Sequence, residues 1–189
     1  MAKKKSEIHI LDEFSARNIT QVTLNGSRVI IVSEELQEST EEMGGYKLSL
    51  PEYPTEAFTD ALKALKTYVY LAWKISGKAA IAAFMKTIEV RGVSFKHAGG
   101  DIKAKIRIHK ELPDGLHTEF DMPLKPLLFM DSDGEFVPCE GETLYSEDAS
   151  AKLHEVMRQA KLYLGGYRSQ GKLNFPPDPG PEVGEDGSA

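Results

Sequence analysis

Apolar residues recur at helical spacing in two stretches of the chain, and each stretch predicts an amphipathic helix. In residues 55–74 the apolar side chains are Phe58, Leu62, Leu65, Val69 and Ala72. In residues 146–167 they are Leu153, Met157, Ala160, Leu164 and Tyr167, each 95 positions after its counterpart. Side chains three or four residues apart share one side of a helix, so each helix should bury one side. Ser146 is placed to cap the second helix.

Before each predicted helix, apolar and polar residues alternate as they do in β-strands, and three segments of one half match three of the other. The pairs are ITQVTL (19–24) with VRGVSF (90–95), VIIVSEEL (29–36) with KIRIHKEL (105–112), and YKLSLP (46–51) with TEFDMP (118–123). In the first pair the apolar residues occupy positions one, four and six. This uneven spacing predicts a β-bulge in each strand, and Gly92 marks the second.

These patterns predict an α+β fold of duplicated β-β-β-α units, with antiparallel sheets, two helices packed on one face and pseudo-twofold symmetry. A single globular domain is expected over residues 1–175, with repeats at about 8–78 and 86–175 and an insertion at 124–145. The insertion contains a predicted hairpin, LLFM-DSDG-EFV. The apolar segment 79–85 is predicted to be packed, as helix or buried strand. Whether the repeats share one sheet is left open.

Composition adds the class of protein and its expected location. The chain has 41% hydrophobic and 28% charged residues, as is typical of soluble globular proteins. Cys139 is the single cysteine, and MAKKKSEIHI lacks the apolar core of a secretory signal. No apolar run approaches the roughly 20 residues that span a bilayer. We therefore expect a cytoplasmic protein, in the host cytoplasm if it is viral. Residues 176–189, rich in Pro, Gly and acid, predict a disordered tail.

One stretch has the spacing of a phosphate-binding loop, with Gly166, then Gly171 and Lys172. Such a loop needs Ser or Thr after the lysine and must follow a strand. Here Leu173 follows the lysine, and a predicted helix precedes the glycines. The stretch is therefore interpreted as the end of a helix.

Neither a metal site nor a catalytic site is evident in the sequence. The five histidines have no metal-ligand spacing with one another or with a carboxylate. In 131–142, Asp131, Asp133, Glu135 and Glu142 match calcium-loop positions, but position six is Phe136 instead of glycine. A hairpin turn is favoured there, and a calcium site is the alternative. No cofactor and no enzymatic activity are predicted.

A basic strand surface is the strongest functional signal. In DIKAKIRIHK (101–110), Ile102, Ala104, Ile106 and Ile108 should face the core, and the intervening side chains should face outward. The predicted nucleic-acid-binding residues are Arg91, Lys96, Lys103, Lys105, Arg107 and His109. The corresponding positions of the first half, near Thr23, Ile31 and Val29, are not basic. Tyr46, Tyr53 and Trp73 are candidates for stacking on bases.

The second half resembles small bacteriophage proteins of largely uncharacterised function. These end in a pattern close to Tyr-Ile/Leu-x-Gly-Lys-Arg-x-Gln-Gly-x-Leu/Phe, which is matched by Tyr163, Leu164, Gly166, Arg168, Gln170, Gly171 and Leu173. Tyr167 stands where that family usually has lysine, and Asp121-Met122-Pro123 replaces its Asn-Thr-Pro. The resemblance implies a phage or prophage origin, often in replication or recombination regions, and supplies no catalytic residues.

Two functions follow as hypotheses. The first is a non-enzymatic protein that binds single-stranded DNA through the basic strand surface, with the acidic tail competing for that surface. The alternative is a protein-interaction module, such as an inhibitor of a host defence or replication factor. Its partner would bind the tail or the 124–145 insertion. No membrane partner is expected, and an oligomer is compatible with the sequence.

Overall fold

In the computed structural model, residues 7–26, 28–35, 45–49, 53–98, 101–130, 136–137 and 144–168 are described. The strands are β1 (Arg17–Asn25), β2 (Arg28–Glu35), β3 (Gly45–Ser49), β4 (Ile88–Ala98), β5 (Asp101–Glu111), β6 (His117–Asp121), β7 (Lys125–Pro126), β8 (Phe129–Met130) and β9 (Phe136–Val137). The helices are α1 (Glu7–Glu13), α2 (Glu56–Ala64), α3 (Lys66–Ala72), α4 (Lys78–Thr87) and α5 (Glu147–Leu164).

One antiparallel sheet carries both halves of the chain. Its order is β3-β2-β1-β4-β5-β6, and β7 pairs with β5 beyond the end of β6. The first strand of each half, β1 or β4, therefore lies at the centre. The α+β class is confirmed, and the six main strands form one continuous sheet. The duplication and its pseudo-twofold axis remain predictions with which this order is compatible.

Both predicted bulges are present, and they adjust the pairing of the two central strands. The register shifts between Ile19 and Gln21 in β1, and between Val90 and Gly92 in β4. At Gly92 the strands approach so closely that an added Cβ would lie 2.2 Å from the carbonyl oxygen of Val22. A side chain would therefore force the two halves apart at their junction.

Two helices cover one face of this sheet. Side chains of α2 and α5 pack against each other, and the rings of Phe58 and Tyr163 have centroids 5.9 Å apart. The predicted cap of α5 is present, and α2 has a cap of the same type. Thr55 Oγ1 accepts a hydrogen bond from the Phe58 amide, and Ser146 Oγ accepts one from the Ala149 amide. In both cases the hydroxyl satisfies an amide that the first helical turn leaves unpaired.

Several details of the helical layer differ from the prediction. The helix predicted over 55–74 is divided at Leu65, whose side chain is buried. The Leu65 amide donates a hydrogen bond to the Leu62 carbonyl, three residues back, at 3.2 Å, and this bond tightens the turn. Ala72 is exposed. Segment 79–85 belongs to α4, and only Phe84 of that helix is buried. Helix α1 and strand β7 were not predicted, because each is short and carries little periodicity.

The ends of the two long helical segments also differ. Helix α5 stops at Leu164, and Gly166 follows with φ of 93°, so the glycines end a helix as predicted. After α3 the left-handed residue is Lys74, with φ of 55°, while Gly77 precedes α4. The segment Ser76-Gly77-Lys78 of the first half, which resembles the Ser-Gln-Gly-Lys segment after α5, therefore begins a new helix instead of ending one.

The insertion contains the predicted hairpin, since β8 pairs with β9 in antiparallel register. Its turn (131–135), Cys139 and the tail (176–189) lie outside the described residues. None of the helices in the described part of the chain is long and apolar enough to cross a membrane.

Candidate nucleic-acid interface

Strand β5 separates its two kinds of side chain as its alternation predicts. Ala104, Ile106 and Ile108 are fully buried beneath the helices. The side chains between them project from the opposite, open face of the sheet, where they are only partly covered. The core therefore requires one set of β5 residues and leaves the other set available for contact with a partner.

Cross-strand register brings the six predicted residues together on the open face. Lys96 lies opposite Lys103, and Arg107 lies opposite Gly92. The bulge at Arg91 lets this side chain reach His109, which is paired with Glu89. We call this surface the basic face, formed by Arg91, Lys96, Lys103, Lys105, Arg107 and His109.

An acidic residue that the sequence analysis did not include, Asp121, lies between two cations of the basic face. Asp121 Oδ2 lies 2.7 Å from Lys105 Nζ, and Asp121 Oδ1 lies 3.1 Å from Arg107 Nε. Burial alone would raise the pKa of Asp121, but hydrogen bonds from both cations outweigh burial and lower it. Asp121 therefore stays ionised and offsets one of the two charges. The position of Asp121 follows from the register between β5 and β6, which pairs Asp121 with Arg107.

Arg91 is held by a second local network. Its Nη2 lies 3.2 Å from Glu89 Oε2, and both Nε and Nη2 point at His109 Nδ1, at 3.3 and 2.9 Å. Because the guanidinium can only donate, His109 Nδ1 must accept, which places the proton of the neutral ring on Nε2. The His109 ring packs against that of His117, with centroids 4.6 Å apart and the ring planes tilted by 43°. This end of the basic face is thus rigid and partly neutralised.

At the other end of the basic face, two lysines lie next to each other. Lys96 and Lys103 are directly opposed, so two ammonium groups share one cross-strand site. Like charges in that position repel each other unless an anion lies near both. Lys96 is exposed and Lys103 half-buried, so both remain accessible from solvent. This end of the basic face therefore presents two neighbouring lysines to a ligand.

The described open face of the first half has fewer cations than that of the second. The positions facing outward there include Gln21 and Thr23 on β1, and Arg28, Ile30, Val32 and Glu34 on β2. The sequence analysis took Val29 and Ile31 as the outward positions, and this was wrong, because both are fully buried. A one-residue shift exchanges the two sides of a strand, which is why a continuous apolar run such as VIIV conceals its orientation.

Aromatic side chains suited to base stacking lie elsewhere. Trp73 is 40% exposed, but its ring stacks on Phe120 at 4.7 Å and lies tilted against Phe84 at 5.0 Å, on the helical side of the sheet. Tyr53 lines a groove of about 560 Å³ beside Lys63 and Lys66. The side chain of Tyr46 lies outside the description. Among the described residues, His109 and His117 are therefore the rings of the basic face.

The described residues contain no group of three or more His, Cys, Asp or Glu side chains that could hold a metal ion. The calcium-loop alternative falls largely on residues 131–135 and 138–142, which lie outside them.

Comparison of the chain with protein-family models, with curated proteins and with solved structures finds no match.

Proposed function

We propose that the protein binds single-stranded DNA through the basic face, as a phage-type replication or recombination protein that performs no reaction on its ligand. One observation supports this proposal: five permanent cations and an imidazole share one open sheet surface. Asp121 and Glu89 are among the acids that face them, and Glu119 lies opposite His109. Each protein cation that neutralises a phosphate releases counterions condensed on the DNA, and this release favours binding.

The shape of the surface favours a single strand over a duplex. Lys103, Lys105 and Arg107 follow one another along β5, about 6.6 Å apart from one to the next, because alternate residues of a strand share a face. Such a row matches a linear phosphate backbone lying along the strand. Because the described rings of this face are imidazoles, backbone contacts should dominate, with strong salt dependence and little base preference.

The test removes cations from the basic face and, in a matched control, from the helical side. Lys96→Gln, Lys103→Gln and Lys105→Gln are combined in one variant, and Lys63→Gln, Lys78→Gln and Lys86→Gln in the other. Glutamine is preferred to glutamate, because new acids beside Asp121 would repel it. Fluorescence anisotropy with a 20-nucleotide single strand should show a large loss of affinity for the first variant only. Its salt slope should fall by about 0.7 per lost contact.

Deletion of residues 176–189 should strengthen binding, since the acids of this segment compete for the same cations. If the protein lacking these residues binds neither single-stranded DNA nor RNA at low salt, the proposal is wrong. Equal losses in the two glutamine variants would also contradict it.

A protein-binding function is the second candidate, and a separate surface favours it. Leu71 is 55% exposed and Trp73 40%, and α4 presents exposed alanines at 79, 80, 82 and 83. Leu124, in the insertion, is 45% exposed. Clustered apolar exposure of this kind marks interaction surfaces. Ala83→Arg should abolish capture of a protein partner while leaving DNA binding intact.

A further inference from the structure

A second cationic site lies on the other side of the sheet, in a pocket of about 390 Å³. The pocket opens where β1 begins and β4 ends, beneath α1 and α5. Its volume falls within the range of small-molecule sites, about 300–1,000 Å³. Part of the wall is apolar, formed by Ile19, Ile102 and Met157.

The polar part of the wall is entirely cationic or neutral. Arg17, Arg158 and Lys161 line it together with His97 and His154, and no carboxylate is among the lining residues. His97 Nε2 donates to the Ile19 carbonyl and His154 Nε2 donates to the Leu128 carbonyl, at 2.9 and 3.2 Å. Both rings are therefore fixed in orientation by the backbone.

Arg158 is positioned by acids outside the pocket. Its Nε and Nη2 donate to both oxygens of Glu155, at 2.8 and 2.9 Å, and its Nη1 donates to Glu7 at 3.2 Å. These pairs compensate the charge of Arg158. Arg158 thus forms a rigid wall of the pocket more than a source of positive potential.

Lys161 is the group that an anion would satisfy. Its ammonium donates to the Ser15 carbonyl at 3.2 Å, and it forms no ion pair with a carboxylate of the described residues. Burial lowers the pKa of Lys161, which shows that its charge is poorly solvated where it stands. An ammonium has three protons to donate, so a ligand oxygen can accept from it alongside Ser15.

We propose that this pocket binds the phosphate monoester of a small organic molecule, with the phosphate on Lys161, beside Arg17, and the organic group against Ile19, Ile102 and Met157. A phosphate supplies the negative charge and the acceptor oxygens that Lys161 can bind in addition to Ser15. The apolar wall supplies area for a body such as a nucleoside. This site is separate from the basic face and goes beyond the function proposed for it.

The probe is adenosine monophosphate, titrated into the full-length protein and followed through the methyl resonances of Ile19, Ile102 and Met157. Saturable shifts confined to these methyls are expected, with adenosine binding at least about tenfold more weakly because it lacks the phosphate. Inorganic phosphate should compete. A 5′-phosphorylated oligonucleotide, compared with its 5′-hydroxyl form, distinguishes a strand end from a free nucleotide as the source of the phosphate.

Lys161→Gln should weaken the nucleotide by about tenfold or more, and Arg17→Gln should act in the same direction. Lys152→Gln, an exposed lysine of the same helix, is the control and should leave affinity unchanged. Thermal unfolding of each variant checks that the fold is retained. The triple glutamine variant of the basic face should bind the nucleotide normally, which separates the two proposals. The proposal is overturned if the wild-type methyls show no saturable shift, or if Lys152→Gln weakens binding as much as Lys161→Gln.

Discussion

Strands β2 and β5 occupy corresponding places in the sheet, each next to a central strand, yet their open faces differ completely. Toward the helices both are apolar and buried, with Val29 and Ile31 in β2 and with Ile106 and Ile108 in β5. Away from the helices β2 presents Ile30 and Val32, with Arg28 and Glu34 at its ends, where β5 presents a row of cations. The core constrains one side of each strand in the same way and leaves the other side free to differ.

This comparison separates what the fold needs from what it carries. A basic row is not required for a strand in this position, since β2 forms the same kind of pairing without one. Lys96 of β4 and Lys103 of β5 also lie directly opposite each other, an arrangement that does not itself favour pairing of the strands. The row is therefore the part of β5 to which we assign the proposed binding.

The junction between the halves offers the largest expected effect. Gly92→Ala places a Cβ 2.2 Å from the Val22 carbonyl oxygen, so β1 and β4 must separate. We expect the free energy of unfolding to fall by about 2–4 kcal/mol, measured by chemical denaturation. Ser94→Ala, two residues along the same strand, is the control and should change it by less than about 0.5 kcal/mol. Equal stability of Gly92→Ala and wild type would show that the strands are not in close contact.

Adding a cation to the open face of the first half should make the two halves more alike. Thr23 faces outward opposite Gly92, which in turn pairs with Arg107, so Thr23→Lys extends the basic face across the junction. Affinity for single-stranded DNA should rise, and the salt slope should steepen by about 0.7. Thr67→Lys, at an exposed position of α3, adds the same charge on the helical side. A similar gain from both changes would mean that net charge, and not the basic face, controls binding.

Removing the acid that crosses the basic face should have opposite effects on binding and stability. Asp121→Asn frees Lys105 and Arg107 for phosphates, so DNA binding should strengthen. It also removes two partly exposed ion pairs, at a cost of about 0.5–1 kcal/mol.

The pH dependence of Asp121→Asn follows from the lowered pKa of Asp121. The stabilisation is present above the unfolded-state pKa of about 3.9 and is lost as pH falls through the lower folded-state value. The stability difference between wild type and Asp121→Asn should therefore vanish in strong acid. Denaturation curves from pH 7 to pH 2 measure this, and a difference that persists at pH 2 would exclude the ion pairs as its cause.

An effect on stability of similar size concerns a polar atom in the core of the first half. Among the described residues, Ser33 Oγ is buried without a hydrogen-bond partner. Ser33→Ala removes the hydroxyl that burial leaves unpaired, so the protein should become more stable by about 1 kcal/mol. Thermal unfolding detects the change, and a loss of stability would reveal an unseen partner for the hydroxyl.

The sequence predicted the elements whose periodicity is strict and missed those whose orientation depends on neighbours. Alternation along DIKAKIRIHK placed the basic face correctly, because each apolar residue is flanked by charged ones. The run VIIV in β2 has no such contrast, and its outward residues were assigned to the wrong side. Strand order was not predictable either, since pairing of β1 with β4 depends on contacts between residues about 70 positions apart.

The electrostatics of the candidate site were only half predictable for the same reason. The cations could be counted from one strand, but their compensation by Asp121 required the register between β5 and β6. The pocket beside Lys161 was invisible in the sequence. It joins residues of α1, β1, β4 and α5, and the unpredicted α1 forms one of its sides.

The strand order also has a consequence for the time during which the chain is being made. β1 lies at the centre of the finished sheet, but its partner β4 begins only at Ile88, after β1, β2, β3 and four helices have emerged. Until then the inner edge of β1 has open backbone donors and acceptors, and α5, which packs on β1, does not yet exist. An unpaired, uncovered strand edge is a template for pairing with another chain. We therefore expect a nascent first half to need protection from association with its own copies, and a fragment ending at Thr87 to aggregate.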